Sequence, residues 1–116
     1  MAVFLSNSFS LGMLQSPEQP LTLRVRQLSL EEARDLLKEG FVSAVGHQAT
    51  AEILTTLLGT TVPFNRVAIT LRAGDALLVF QLRVRLEEGR ILSEEEVRSL
   101  HDQGKTSFML VEVLDQ

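Results

Sequence analysis

The chain has 116 residues, 45% of them apolar, which fits one domain with one core and leaves no room for a second. It has no cysteine, which excludes disulfides, thiolate catalysis and cysteine metal sites. Its formal net charge of −4 and its six Phe, with no Trp or Tyr, argue against a protein that coats long DNA or RNA, since such proteins are basic and supply stacking rings.

Val3 to Ser6 reads as a first strand. The opening MAVFLSNSF lacks a basic n-region, so it is not read as a signal peptide. A Ser-rich loop from Asn7 to Pro20 follows, closed by Pro17 and Pro20. Leu21 to Arg26 alternates, with Leu21, Leu23 and Val25 facing one way and Thr22, Arg24 and Arg26 the other, as a half-buried strand does. Ser29 with Glu32 forms a capping box, and the stripe Leu30, Ala33, Leu36, Leu37 continues as a helix that Gly40 stops. Phe41 to Gly46 is ambiguous. A second helix is expected from about His47 to Leu58, ended by Gly59. Arg66 to Leu71 alternates as a strand, Ala73-Gly74-Asp75 is a tight turn, and Ala76 to about Val84 returns, so a hairpin is expected. Ser93 and Glu96 cap a third helix ending near Gly104. Ser107 to Leu114, apolar on both faces, is expected as a central strand. The resulting fold class is α/β with α+β character: a single mixed sheet of about five strands with about three flanking helices, residues 1–116 forming one domain. No apolar run is long enough to span a bilayer, and the expected location is the cytoplasm.

Polar groups at element ends are the candidates for chemistry. His47 follows Gly46 at a helix start, where free backbone N–H groups favour an anion; it reads as a proton donor to an oxygen leaving phosphorus, or as an ordinary cap residue. Gln81, Arg83 and Arg85 share one strand face, which is either a pocket wall or a solvated face, and a guanidinium suits phosphate. Glu88 could orient a His or a ribose hydroxyl, or simply lie in a charged turn. Asn7, Ser8, Ser10, Asn65 and Arg66 cluster where strands begin or end, and each also fits turn chemistry. Two His and no Cys give no metal-ligand spacing, and no nucleotide-binding or serine-nucleophile motif is present.

Taken in order, Leu5-Ser6-Asn7-Ser8-Phe9-Ser10, Met13-Leu14, Gly46-His47, Leu57-Leu58-Gly59, Asn65-Arg66, Gly74-Asp75 and Arg85-Leu86-Glu87-Glu88-Gly89-Arg90-Ile91-Leu92 with Glu95-Glu96 closely resemble the viral type III anti-CRISPR ring nuclease family, which includes related bacterial ring nucleases. The resemblance covers nearly the whole chain, with Gly12 standing where a polar residue is common. It implies a homodimer that encloses cyclic tetra-adenylate at its interface and cuts it, with no metal or other cofactor, to di-adenylates ending in 2′,3′-cyclic phosphate. It further implies catalytic roles for His47, Arg85 and Glu88, and ligand contacts by Asn7, Ser8, Ser10, Gly46, Asn65, Arg66 and Gln81. DNA and membranes are not expected partners. The alternative within the same resemblance is a dimer that sequesters the ligand without cutting it. A third reading is an interaction protein whose polar loops merely face solvent.

Overall fold

The computed structural model describes residues 2–14, 20–86 and 91–114. Its elements run β1 (Val3–Ser6), β2 (Thr22–Leu28), α1 (Leu30–Leu37), β3 (Val42–Ser43), α2 (Gln48–Leu58), β4 (Ala76–Leu82), α3 (Glu94–Asp102) and β5 (Thr106–Leu114), with one 3-10 turn at Leu11–Met13. The strands form one mixed sheet in the order β2-β5-β4-β1-β3. Strands β3, β1 and β4 are mutually parallel, while β5 runs antiparallel to both β4 and β2.

Side-chain alternation divides the interior into two layers. Leu5, Leu78, Phe80, Phe108 and Leu110 point to the face that carries the helices, where they meet Ala33 and Leu37 of α1, Leu54 and Leu57 of α2, and Val97 of α3. Phe80 and Phe108 are directly paired across β4 and β5, with ring centroids 5.3 Å apart. Burying a side chain of this size contributes roughly 1.5–3 kcal/mol, so this pair and its Leu neighbours anchor the helical layer. On the opposite face Leu77, Val79, Val111 and Val113 are covered by irregular chain, through Met13, Leu14, Ile69 and Leu71.

The helix boundaries follow local chemistry. Both capping boxes form: Ser29 accepts from the Glu32 N–H and Ser93 from the Glu96 N–H, and each Glu reaches back to its Ser N–H. Arg34 donates to the Leu57 carbonyl at 2.6 Å, so α1 satisfies an end of α2. Gly59 closes α2 at φ +69°, a left-handed conformation that costs glycine little.

The expected hairpin does not form. Arg66 to Leu71 is not a strand, because β4 has two edges and β1 and β5 occupy both. The alternation there reflects a different use: Ile69 and Leu71 are buried against the second face while Val67 is 48% exposed. Backbone bonds tie this segment to the loop after β1, with the Leu71 N–H donating to the Met13 carbonyl at 2.7 Å. The fifth strand is instead β3, from the stretch left ambiguous, and β4 ends at Leu82, short of Val84. β5 lies between β2 and β4, with both edges paired, as its apolar composition suggests.

Candidate functional site

Three parallel strands end on the same side of the sheet, and ligands of open sheets with parallel strands bind outside such carboxyl ends. Beyond β1 the chain continues Ser6-Asn7-Ser8; beyond β3 it runs through Gly46 to His47, the N-cap of α2. The two turns are laced together. The buried Ser6 hydroxyl donates to the Ala44 carbonyl and accepts from the Ser8 N–H, and Asn7 Oδ1 accepts from the Gly46 N–H at 3.3 Å. Gly46 allows a close approach, since a Cβ there would stand 3.2 Å from Cγ of Arg66 and press that side chain aside.

Two cavities open at these strand ends. One, of about 440 Å³, is lined by Asn7, Ser8, Gly46, His47 and Arg66. Its neighbour, of about 550 Å³, is lined by Asn7, Thr50, Gln81 and Arg83, with Phe80 and Leu82. Asn7 stands on both. Although the chain carries fifteen Asp and Glu against eleven Lys and Arg, no carboxylate lines either cavity among the described residues. The side chains of Arg66 and Arg83 have no carboxylate partner among the described residues, as those of Arg34, Arg72 and Arg85 have none, while Arg24, Arg26 and Arg98 are paired. Among the described residues no three His, Cys, Asp or Glu side chains gather as a metal site requires.

Among the described residues, the ring of His47 is held by Thr50. The Thr50 N–H donates to Nδ1 at 3.3 Å, and the Thr50 hydroxyl lies 3.1 Å from the same nitrogen. A backbone N–H can only donate, so the neutral ring carries its proton on Nε2. If the ring takes up a second proton, Nδ1–H can turn to the Thr50 hydroxyl oxygen instead. One residue thus serves both charge states of the imidazole.

The structure brings Asn7, Ser8, Gly46, His47 and Arg66 to one cavity and Gln81 to the adjoining one. It does not bring Arg85 to them: Arg85 lines a third cavity, of about 300 Å³, against Leu86, Leu92, Glu96 and Leu100. Glu88 lies outside the described residues. Ser10 is exposed, its carbonyl accepts from the Met13 N–H at the 3-10 turn, and it lines neither cavity at the strand ends. Asn65 is spent on architecture, its side-chain amide donating to the Ser43 carbonyl at 2.7 Å and its N–H to the Val45 carbonyl. The sequence puts Arg83 on one strand face with Gln81 and Arg85 but assigns it no ligand contact; Thr50 carries no signal beyond being the third residue of a helix that His47 caps.

A family model described as STIV B116-like matches residues 3–106, and the chain belongs to that family. The relatives it matches are proteins of archaeal viruses. It is 40% identical over 95 residues, 81% of this chain and 79% of the other, to uncharacterized protein 26 of Sulfolobus islandicus filamentous virus. Uncharacterized protein ORF116 of Acidianus filamentous virus 1 is 30% identical over 114 residues, 97% of each chain. Among solved structures, B116 of Sulfolobus turreted icosahedral virus superposes with a TM-score of 0.84 at 37% identity, covering 97% of this chain and 99% of that one. The mixed five-stranded sheet with its helices is therefore the fold of this family.

Proposed function

We propose that two copies of this chain enclose cyclic tetra-adenylate and cut it into linear di-adenylates ending in 2′,3′-cyclic phosphate, removing the second messenger of type III CRISPR systems. The observation that carries the reading is the pair of cavities, with Asn7 lining both, at the carboxyl ends of β1, β3 and β4. They are free of carboxylates among the described residues and carry His47, Arg66 and Arg83 in an otherwise acidic chain. The motif resemblance supplies the ligand, and the virus relatives fit a protein that disarms a host response.

In this mechanism the substrate is its own nucleophile. A ribose 2′-oxygen attacks the adjacent phosphorus and passes its proton to solvent, from which His47 is later reprotonated, and the bond from phosphorus to the next 5′-oxygen breaks. His47 as imidazolium gives its Nε2 proton to that leaving oxygen, while Nδ1–H rests on the Thr50 hydroxyl oxygen. No water is consumed, which leaves the phosphate cyclic. Holding the three reacting atoms in line is the larger task; since the nucleophile is already tethered beside the phosphorus, the protein supplies the orientation and not the association entropy. The resemblance assigns Arg85 to charge on the phosphoryl oxygens and Glu88 to orienting His47 or the attacking hydroxyl. A twofold dimer presents two identical sites to a fourfold ring, so two opposed cuts yield two equal halves.

The second reading, a dimer that only sequesters the ring, is favoured by one observation: Arg85 lines a cavity that shares no lining residue with that of His47. Incubation of the protein with cyclic tetra-adenylate in the presence of a chelator, followed by mass identification of the products, separates the two. Di-adenylates with cyclic phosphate ends are expected. Intact, protein-bound ring gives the sequestering dimer, and absence of binding ends both readings.

A further inference from the structure

The cavity beside the His47 site has its own donor set, and Arg83 is its only charged side chain among the described residues. Asn7 Oδ1 is occupied by the Gly46 N–H, which leaves Nδ2–H2 of Asn7 to donate. Gln81 Oε1 accepts the Ser107 hydroxyl at 3.1 Å, which leaves Nε2–H2 of Gln81 to donate. Arg83 spends one Nη1 contact on the Gly104 carbonyl at 3.4 Å and keeps the rest of its fork. Its backbone N–H is fixed to the Lys105 carbonyl at 2.8 Å, so the arginine is mounted on the continued β4–β5 ladder. Two amide donors and one guanidinium, with the Thr50 hydroxyl beside them and no acidic side chain in the lining among the described residues, favour an anion rich in acceptors.

We infer that Arg83, Gln81 and Asn7 form a second phosphodiester subsite, next to the one at His47. It rests on the proposed reading, in that both subsites hold phosphates of one cyclic oligonucleotide. Asn7 stands on both cavities, so it bridges the two phosphates, and each protomer grips the ring at the scissile phosphate and at its neighbour. This second hold keeps the ring from rotating out of line while one bond is cut.

The test measures binding in the His47→Ala background, where the ring persists. Arg83→Gln is expected to weaken cyclic tetra-adenylate binding at least tenfold and, because two protomers each lose one phosphate contact to the ring, to flatten the dependence of log Kd on log salt by about 1.4. Arg83→Lys is expected to keep the salt slope, and Arg72→Gln, at the opposite end of β4, to change neither. Arg83→Gln binding with the parent's affinity and slope would overturn the subsite. If the unmodified protein binds no cyclic tetra-adenylate, the proposed function fails, and the subsite is then judged with inorganic phosphate alone. Saturable NMR shifts of the Arg83 Nε–H and the Gln81 side-chain amide in the unmodified chain support it; their absence overturns it. That arm does not depend on any variant folding.

Discussion

Thr50 meets the imidazole of His47 with a donor and with an acceptor, and that small fact shapes what the residue can do. A histidine capped only by an N–H would lose its anchor on becoming the acid; this one exchanges the N–H for the hydroxyl oxygen at 3.1 Å and stays in place. His47→Ala is therefore expected to slow cleavage by roughly 10²–10⁴-fold while leaving most of the ring affinity, as product chromatography and equilibrium binding would show. Gly46 is the complementary case. Gly46→Ala forces Arg66 aside from a 3.2 Å contact, so ring binding should weaken while the melting temperature barely moves, because the displaced side chain is exposed and flexible. The positions of His47 and Gly46 were readable from sequence, since a helix start is a local pattern. The partnership with Arg66 was not, since twenty residues of chain separate them.

At the level of elements, the caps are the most local features and were the best anticipated. Ser29→Ala removes the acceptor for the Glu32 N–H and should cost about 1 kcal/mol, a fall of about 4 °C in the thermal midpoint. Charge on β5 contributes to the response to acid. The hydrogen bond from Arg24 holds the Glu112 carboxyl below the usual range, helped by the charges of Arg24 and Arg26 and opposed by burial. The folded chain then binds fewer protons than the unfolded one between the two values, so this stabilisation is complete above the ordinary carboxylate range and is lost as pH falls through the lowered one. Glu112→Gln should flatten the acid limb of stability measured by urea unfolding at successive pH values. The segment from Arg66 to Leu71 is where local pattern misled. Its alternation is real, but it packs over a sheet face instead of joining an edge, and edge occupancy depends on strands far away in the chain.

For the whole molecule, the topology gathers the site. The chain makes β1 first and β4 much later, and their parallel pairing sets Asn7 beside Gln81. Phosphate grip by Arg66 and Arg83 should make ring binding fall with salt. If the ring is bound by two copies, sedimentation velocity should give the mass of two chains. Ring at a hundredfold excess over Kd should also stabilise the fold by about 2.7 kcal/mol, read as a rise in melting temperature. A single-chain mass with the ring bound would remove the twofold account of the products.

Residues within a few positions of one another dictate the helices, their caps, the interior character of β5 and the polar groups after β1 and before α2. Long-range packing settles which strands are neighbours, that β3 and not the stretch after Asn65 completes the sheet, that Arg85 lines a cavity against α3, and that Arg83 and Thr50 stand with Asn7. Those outcomes follow from competition for a limited number of strand edges and faces, a global condition that no local periodicity encodes.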